Sequence, residues 1–412
     1  MKYPIITIFM AVLGLAPAAL ALPLSLTDAL QLAESRHPQL AAAQAQEQAA
    51  QAALESAQAY PNPELEIGAG SFRPRQPGAD NGRATSIGLA QPIEWPALRN
   101  ARGAAAQAGI AASTAELTQA RQSLRAQVKL TFFEVLHRNE EWQVARENHA
   151  LLQQIRDRIK IKTEVGESPR YELVKAEAET LAADNAVKRA GLRVEQTLAL
   201  LRTLLGISLP EQIEPQAEAL PEFRLPPLET LKRDMLAQQP LLHAAAAETR
   251  RAQSRIEMER SLRLPQPTLK WSAERDPEAQ VWRVGVSLPL PLWNRRDGPI
   301  NEALAELRRA EAEQQRRRNA LVAELEQAYA RFEIANTLVD TFRSGLLREA
   351  ENALRVAEAA FRYGERSLLE YLDAQRTLRA TRLDYLAARY ELLAAQIEIE
   401  RLRATPLTEG QP

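Results

Sequence analysis

Apolar residues recur at three- and four-residue spacing along most of the chain, which is the pattern of amphipathic helices. The pattern is clearest in residues 171–205 and 368–402, where it has the spacing of a coiled coil. The apolar positions are Val187, Val194, Leu198, Leu201 and Leu205 in the first segment, and Leu383, Leu386, Tyr390, Leu393 and Ile397 in the second. Before each segment, roughly 60 to 70 residues with almost no proline or glycine would form a rod on the order of 100 Å long. The pattern therefore predicts two long helical hairpins.

The landmarks of the sequence occur twice in the same order, which indicates an internal duplication. The first set is His37-Pro38, Tyr60-Pro61-Asn62-Pro63, Gln91-Pro92 and Gly166, and the second is Gln239-Pro240, Leu264-Pro265-Gln266-Pro267, Leu288-Pro289 and Gly364. Prolines between the two sets interrupt helical hydrogen bonding and predict a linker at residues 210–227. We expect a signal peptide at 1–21, a first repeat at 22–209, a second repeat at 228–404 and a disordered tail at 405–412.

Each half also contains two short segments in which apolar and polar residues alternate, at 64–69 and 86–89 and at 268–274 and 282–288. One face carries Leu65, Ile67, Leu269, Trp271, Trp282, Val284, Val286 and Leu288. A single pair of this kind is typical of a hairpin that packs on a core, but two pairs at equivalent places favour membrane strands with the apolar face outward. Four strands cannot close a barrel, so three chains would supply twelve. The loops at 73–83 and 276–280 would then face the outside of the cell.

The predicted fold is therefore mainly α with a small β part. It is internally duplicated, with long coiled-coil hairpins and four short strands per chain. A trimer would close a 12-stranded β-barrel continued by an α-helical tunnel. A soluble coiled-coil scaffold without a pore is the alternative that the helices alone leave open.

The start of the chain favours export. Lys2 precedes an apolar stretch at 5–16, and Ala19-Leu20-Ala21 has the small residues that signal peptidase cuts after, so the mature chain would begin at Leu22. A membrane anchor is the alternative, but the stretch is shorter than the roughly 20 residues of a spanning helix. The chain has no cysteine, which excludes disulfides, thiolate metal sites and an acylated lipoprotein cysteine. Lys and Arg total 52 and Asp and Glu 53, so no overall field favours nucleic acid.

Four segments resemble the TolC-like outer-membrane factor family: residues 61–65, 91–94, 288–294 and 364–375. The resemblance extends over essentially the whole mature chain and is strongest to the branch that serves heavy-metal (cobalt-zinc-cadmium type) efflux pumps. It implies a homotrimeric conduit in outer-membrane lipid that extends into the periplasm. Its partners would be a periplasmic adaptor and an inner-membrane resistance-nodulation-division pump. It also implies no covalent chemistry and no cofactor. Many relatives carry an acylated N-terminal cysteine that this chain lacks, so the barrel alone would attach it.

The two hairpin tips are the candidate functional site. Gly166 and Gly364 allow the left-handed backbone of a tight helix-to-helix turn, and each is followed six positions later by a carboxylate, Glu172 or Glu370. Glu370 and Asp373 share a helix face, so a trimer would place six carboxylates around the tunnel mouth, as in cation-selective pores. A solvated face near a helix N-terminus, where acids are favoured, is the alternative.

The resemblance assigns further roles at the tips. It places Arg366 and Phe361 in the constricting network of the family and the two glycine turns at the docking site of the adaptor. Glu172 lies at the matching acidic position of the first repeat, so we expect Arg366 to bridge to Glu172 of a neighbouring hairpin as a closed-state latch. Arg170 is a second candidate partner for the same carboxylates.

Other functions have weaker support. The sequence has no phosphate-binding glycine loop, nucleophile elbow or metalloprotease motif, so an enzyme is not expected. Its four histidines have no chelating spacing, and we expect no metal site: His37, His137, His149 and His243. Within the conduit class, efflux of organic compounds or type I secretion remain alternatives to metal export.

Overall fold

The protein is described here by a computed structural model that covers residues 22–73, 75, 81–206, 213–216 and 225–405. The helices are α1 (Leu26–Arg36), α2 (Pro38–Gln58), α3 (Pro96–Glu164), α4 (Arg170–Leu204), α5 (Leu228–Gln238), α6 (Pro240–Ser261), α7 (Asp297–Thr341), α8 (Leu347–Arg362) and α9 (Leu368–Arg403). The strands are β1 (Leu22–Leu24), β2 (Glu64–Phe72), β3 (Gly82–Pro92), β4 (Ile213–Pro215), β5 (Thr268–Arg275) and β6 (Gln280–Ser287). The expected signal peptide lies outside the described residues, as does most of the expected tail.

The predicted duplication and mainly helical fold are confirmed, since helices, a strand pair and a long helical hairpin occur twice in the same order. The 69 residues of α3 form a rod on the order of 100 Å long. Pro96 stands at its first position, where a missing N–H leaves no hydrogen bond unmade. Close to the sheet α3 packs against α2 and α6, and it packs against α4 farther along.

The four long strands form one antiparallel sheet in the order β2-β3-β5-β6. The two hairpins share a register, since Glu64 lies opposite Ala90 in the first and Thr268 opposite Ser287 in the second. The predicted apolar face is exposed: Ile67 is 77% accessible and Trp282 72%. The apolar side chains on this face of the strands therefore do not pack into a core within the single chain.

The second long helix differs from the prediction of one continuous run to Gly364. It begins at Asp297, several residues after Pro289, and a π-helical segment at Phe342–Leu346 separates α7 from α8. Gly345 within this segment has φ 157°, which its missing Cβ allows. Such a segment inserts one residue into a helix. The first repeat has no equivalent interruption, because α3 is helical throughout.

Two very short strands connect the start of the chain with the expected linker. β1 pairs in parallel with β4, with Leu22 opposite Ile213. Leu24 and Ile213 are buried together with Leu201 of α4 and with Leu205, which follows the end of that helix. The rest of this core comes mainly from the middle of α3, including Leu124, Val128 and Phe132. Residues 207–212 and 217–224, which flank β4, lie outside the described residues.

A second core joins the two hairpins near their tips. It combines buried apolar residues of α3, α4 and α9: Leu152, Ile155, Ile159, Ala176, Ala183, Leu368, Tyr371 and Leu372. Among the described helices, none has a stretch long and apolar enough to cross a membrane. The tip core fixes the two turns relative to each other and thereby positions the candidate site.

Candidate functional site at the helical tips

The two hairpin turns have the same backbone geometry. Gly166 and Gly364 have φ of 80° and 75°. The N–H of Glu167 donates to the carbonyl of Lys162 at 2.8 Å, and the N–H of Glu365 donates to that of Ala360 at 2.9 Å. These bonds, together with those of the two glycine N–H groups to the carbonyls three residues earlier, form a Schellman motif in each repeat. A side chain at either position would meet no atom within 4 Å of its Cβ. The strain of a substitution would come from the positive φ alone.

The returning helices begin differently. Ser367 caps α9, with its hydroxyl accepting from the N–H of Glu370 at 3.5 Å. Pro169 stands at the equivalent place before α4 and provides no side-chain cap. An acidic residue in the first turn, Glu172 or Glu370, offsets the helix dipole at both tips.

Arg366 is paired within its own chain. Its Nη1 donates to Oε2 of Glu370, one helical turn later, at 2.5 Å. Both side chains are exposed. The hydrogen bond and the charge of Glu370 raise the pKa of Arg366 above its usual value, so the guanidinium is charged at every physiological pH.

Glu172 has a different donor. The hydroxyl of Ser168 donates to its Oε2 at 2.5 Å, over the same four-residue separation as the pair of Arg366 and Glu370. Ser168 and Arg366 both stand two residues after a tip glycine. The two repeats thus make the same local contact with a neutral donor in one and a cation in the other. Within the single chain Arg366 and Glu172 do not meet, and the role of Ser168 was missed in the sequence.

Glu370 and Asp373 lie on the exposed face of α9, opposite the buried Leu368 and Leu372. Glu370 is neutralised in part by Arg366, whereas Asp373 has no ion-pair partner in the part of the chain that the structure describes. Arg170, the second candidate cation, likewise makes no ion pair in the described ranges. The arrangement leaves the carboxylate of Asp373 without a cation on a solvent-facing surface of the second tip.

Phe361 packs inward. Its ring stacks on Tyr371 with centroids 5.5 Å apart, and Nζ of Lys162 lies 5.6 Å from its centroid on the α3 side. Tyr371 is buried, and this burial raises the pKa of its phenol. Phe361 therefore connects α8 with α9 and with the end of α3. Tyr371 was missed in the sequence, although its helical spacing from Leu368 marks it as core.

A charged cluster connects the two hairpins behind the tips. Glu179 of α4 accepts from Nζ of Lys175 at 3.2 Å and from Arg376 of α9. Partial burial raises the pKa of Glu179, but the hydrogen bonds from Lys175 and Arg376 outweigh this effect and bring the pKa below its usual value. No local sequence pattern indicates the contact of Glu179 with Arg376, because it joins residues from different repeats.

Further along, α9 and α3 are joined by a ladder of ion pairs. Arg382 lies 3.2 Å from Glu147 and Arg389 lies 3.4 Å from Glu140, at a spacing of seven residues on both helices. Between them and the tip, the amide of Gln375 donates to Asn148 in a buried polar contact. These contacts hold the second hairpin against the first.

Metal-binding residues do not cluster in the described ranges, where no three histidine or acidic side chains lie close enough to hold an ion. His137 is the one buried histidine among those that the structure describes. It stacks on Tyr390 at 5.1 Å, and desolvation lowers its pKa despite Glu141 at 3.5 Å. Its surroundings are those of a core residue.

Comparison with known proteins identifies the family that has this architecture. The family model for outer membrane efflux proteins matches residues 29–207 and 231–405, one stretch in each repeat. The chain belongs to the outer membrane efflux protein family. It is 29% identical over 393 residues to the cobalt-zinc-cadmium resistance protein CzcC of Cupriavidus metallidurans, covering 94% of this chain and 91% of the relative.

Two further similarities show how widely the fold is used. The chain is 26% identical over 382 residues to the pyoverdine export outer membrane protein OpmQ of Pseudomonas putida, covering 86% of this chain and 80% of OpmQ. The crystal structure of the Campylobacter jejuni CmeC outer membrane channel has a TM-score of 0.80 at 18% identity, with 94% of this chain and 87% of that chain covered. At this identity the structural likeness concerns the fold alone.

Family membership gives the function at a coarse level. The protein is a passive outer-membrane channel of the tripartite efflux type, extends into the periplasm and is not an enzyme. The predicted family, function class and location are confirmed.

Proposed function

We propose that three copies of the chain form a conduit that carries heavy-metal cations from an inner-membrane resistance-nodulation-division pump and its periplasmic adaptor across the outer membrane. The cation preference is supported by the acidic face that Glu370 and Asp373 form on α9. Asp373 has no cationic partner in the part of the chain that the structure describes. Three-fold symmetry turns this face into a ring at the tunnel mouth. Rings of carboxylates favour cations over anions. The 29% identity to a cobalt-zinc-cadmium resistance protein supports the same substrate class.

The gate, in this proposal, is an exchange of partners by Arg366. In the single chain the guanidinium is held by Glu370. In the closed trimer it would turn to Glu172 of a neighbouring chain, which here has only the neutral donor Ser168. A guanidinium has five N–H donors in a planar fork, so it can hold the carboxylate of a neighbouring chain through two parallel hydrogen bonds. The exchange joins neighbouring tips and narrows the mouth.

The adaptor would dock on the outer surface of the two turns. Around Gly166 and Gly364 the exposed side chains include large apolar ones, Val165, Tyr171 and Tyr363. Aromatic residues at an exposed tip are typical of protein interfaces. Since both turns share one backbone geometry, each chain would present two similar docking points.

Resistance measurements test the substrate class. Deletion of the gene from its host should lower the tolerated concentration of cobalt, zinc and cadmium salts, and expression of the chain should restore it. Tolerance of organic toxins should be unchanged. Loss of tolerance to organic compounds alone would favour the second candidate function, a conduit for organic compounds. The 26% identity to a pyoverdine export protein supports that candidate.

A further inference from the structure

The apolar face of β3 continues beyond the end of the strand. Side chains alternate along an extended backbone, so Ile87, Leu89, Ile93 and Trp95 share one face. The backbone stays extended over this stretch: the N–H of Ile93 donates to the carbonyl of Pro267 at 2.8 Å, and Trp95 has φ −68° and ψ 138°. Ile93 is 46% accessible and Trp95 41%. The exposed apolar face of the sheet therefore ends at Trp95, directly before α3.

The length of the strand places Trp95 at the boundary of the lipid. β3 has 11 residues. At about 3.3 Å per residue and a tilt of about 40°, they span roughly 28 Å along the membrane normal. The apolar band that such strands present to lipid is about 25 Å tall. Residues just after β3 thus lie at the level of the headgroups, and the leaflet is the periplasmic one, because the long helices extend from this end of the sheet.

A cation follows Trp95 by one helical turn. Arg99 lies four residues later, at the start of α3, and therefore on the same side of the chain. Its guanidinium lies over the ring of Tyr60, 4.4 Å from the centroid. Tyr60 precedes β2 and is 69% accessible. Tyrosine and tryptophan are enriched at membrane–water interfaces. We call Tyr60, Trp95 and Arg99 the interfacial patch.

The charge of Arg99 is not neutralised by a carboxylate in the part of the chain that the structure describes. Glu94, five residues earlier, is bonded through both oxygens to Arg102, at 2.5 and 2.9 Å. Stacking on Tyr60 occupies the face of the Arg99 guanidinium, whereas its five N–H donors lie in the plane of the group. These donors remain available to an anion outside the chain.

The interfacial patch does not lie at an edge of the sheet. The indole N–H of Trp95 donates to the carbonyl of Pro265 at 2.8 Å. Pro265 precedes β5, which is the inner neighbour of β3 in the order β2-β3-β5-β6. The tryptophan is therefore held at the internal junction of the two hairpins, away from the edge strands, and it faces lipid when further copies assemble beside the chain.

We propose that the interfacial patch binds the phosphate of an anionic phospholipid of the periplasmic leaflet. Arg99 donates to the phosphate oxygens, for which a planar guanidinium has the matching geometry. Tyr60 holds the guanidinium in place, and Trp95 packs beside the acyl chains next to the headgroup. An anionic headgroup is preferred to a zwitterionic one, which brings a cation of its own. This inference rests on the outer-membrane location and is independent of the cargo and of the gate.

Native mass spectrometry of the delipidated protein in detergent tests the site. The probes are phosphatidylglycerol and phosphatidylcholine with the same acyl chains. The unmodified protein should bind phosphatidylglycerol more tightly. Arg99→Gln should lower that affinity about fivefold, the effect expected of one arginine at an anionic surface. Its affinity for phosphatidylcholine should be unchanged.

The matched control is Arg121→Gln. Arg121 is exposed on the same helix and makes no ion pair in the described ranges, but it lies 22 residues farther along, about 33 Å from Arg99. This variant should bind phosphatidylglycerol as the unmodified protein does. A second pair separates the ring from the hydroxyl: Tyr60→Phe should keep the affinity and Tyr60→Ala should lower it. The mass of the assembled protein in the same spectra controls for folding.

Equal phosphatidylglycerol affinity in Arg99→Gln and the unmodified protein would overturn the proposal, as would an equal loss in Arg99→Gln and Arg121→Gln. Equal affinity of the unmodified protein for the two lipids would also overturn it, since the aromatic residues would then be interfacial anchors without headgroup preference. Inorganic phosphate should not displace the bound lipid, because it lacks acyl chains. Displacement at equal concentration would identify free phosphate as the ligand and contradict the lipid assignment.

Discussion

Arg366 donates a hydrogen bond to Glu370 of its own helix, at 2.5 Å and one turn after the tip. The equivalent contact in the first repeat uses the neutral hydroxyl of Ser168 toward Glu172. The duplication has therefore kept the geometry of this contact at both tips, with a cationic donor only at the second. In a trimer this difference would let the cation of the second tip turn toward the acid of a neighbouring chain.

Replacing this cation should open the channel. Arg366→Ser gives the second tip the same hydroxyl donor that Ser168 provides at the first, so the carboxylate ring loses its counter-charge and neighbouring tips lose their bridge. We expect single-channel conductance in planar bilayers to rise several-fold.

The matched control for this substitution is Arg362→Ser. Arg362 is equally close to the tip but pairs with Glu358 of α8 at 2.9 Å. It should leave conductance unchanged. Equal conductance in Arg366→Ser and the unmodified protein would remove Arg366 from the gate.

The core behind the tips should be sensitive to truncation. Leu368 and Leu369 are adjacent, but Leu368 is 1% accessible and Leu369 is 50%. Leu368→Ala should reduce the free energy of unfolding by about 2–5 kcal/mol, because it leaves a cavity. Leu369→Ala should change it by only about 0.5 kcal/mol, as exposed positions do. Denaturant unfolding followed by circular dichroism gives both values, and equal losses would contradict the packing of α9 described here.

The cluster of Glu179, Lys175 and Arg376 should make stability depend on pH. The pKa of Glu179 in the folded protein lies below its ordinary value of 4.5. A lowered folded pKa contributes stability that is present above pH 4.5 and lost as the pH falls through the folded pKa. Glu179→Gln should therefore lower the melting temperature at pH 7 but have a smaller effect at pH 3. An effect of the same size at both pH values would show that the ionised carboxylate does not act in this contact.

Much of the fold could be predicted from the sequence because its signals are local and repeated. Gly166 and Gly364 mark two turns whose backbone needs a positive φ, and alternating residues such as Ile67 and Val286 mark strands. Local patterns do not show contacts between repeats. The bond of Arg376 to Glu179 and the stacking of Phe361 on Tyr371 depend on how the hairpins pack. The π-helical segment around Gly345 was missed because one inserted residue shifts the phase of the apolar pattern but leaves its helical period the same on both sides.

The ion selectivity of the purified channel tests the central claim most directly. Glu370→Gln combined with Asp373→Asn keeps the shape of the tip but removes both carboxylates of each chain. A control with Glu248→Gln and Glu257→Gln removes the same charge from two exposed positions on α6. In planar bilayers under a salt gradient, the reversal potential should show cation preference for the unmodified protein and the control, and a marked loss of it for the tip variant. Unchanged cation selectivity in the tip variant would contradict the account and leave these acids as surface residues at a helix N-terminus.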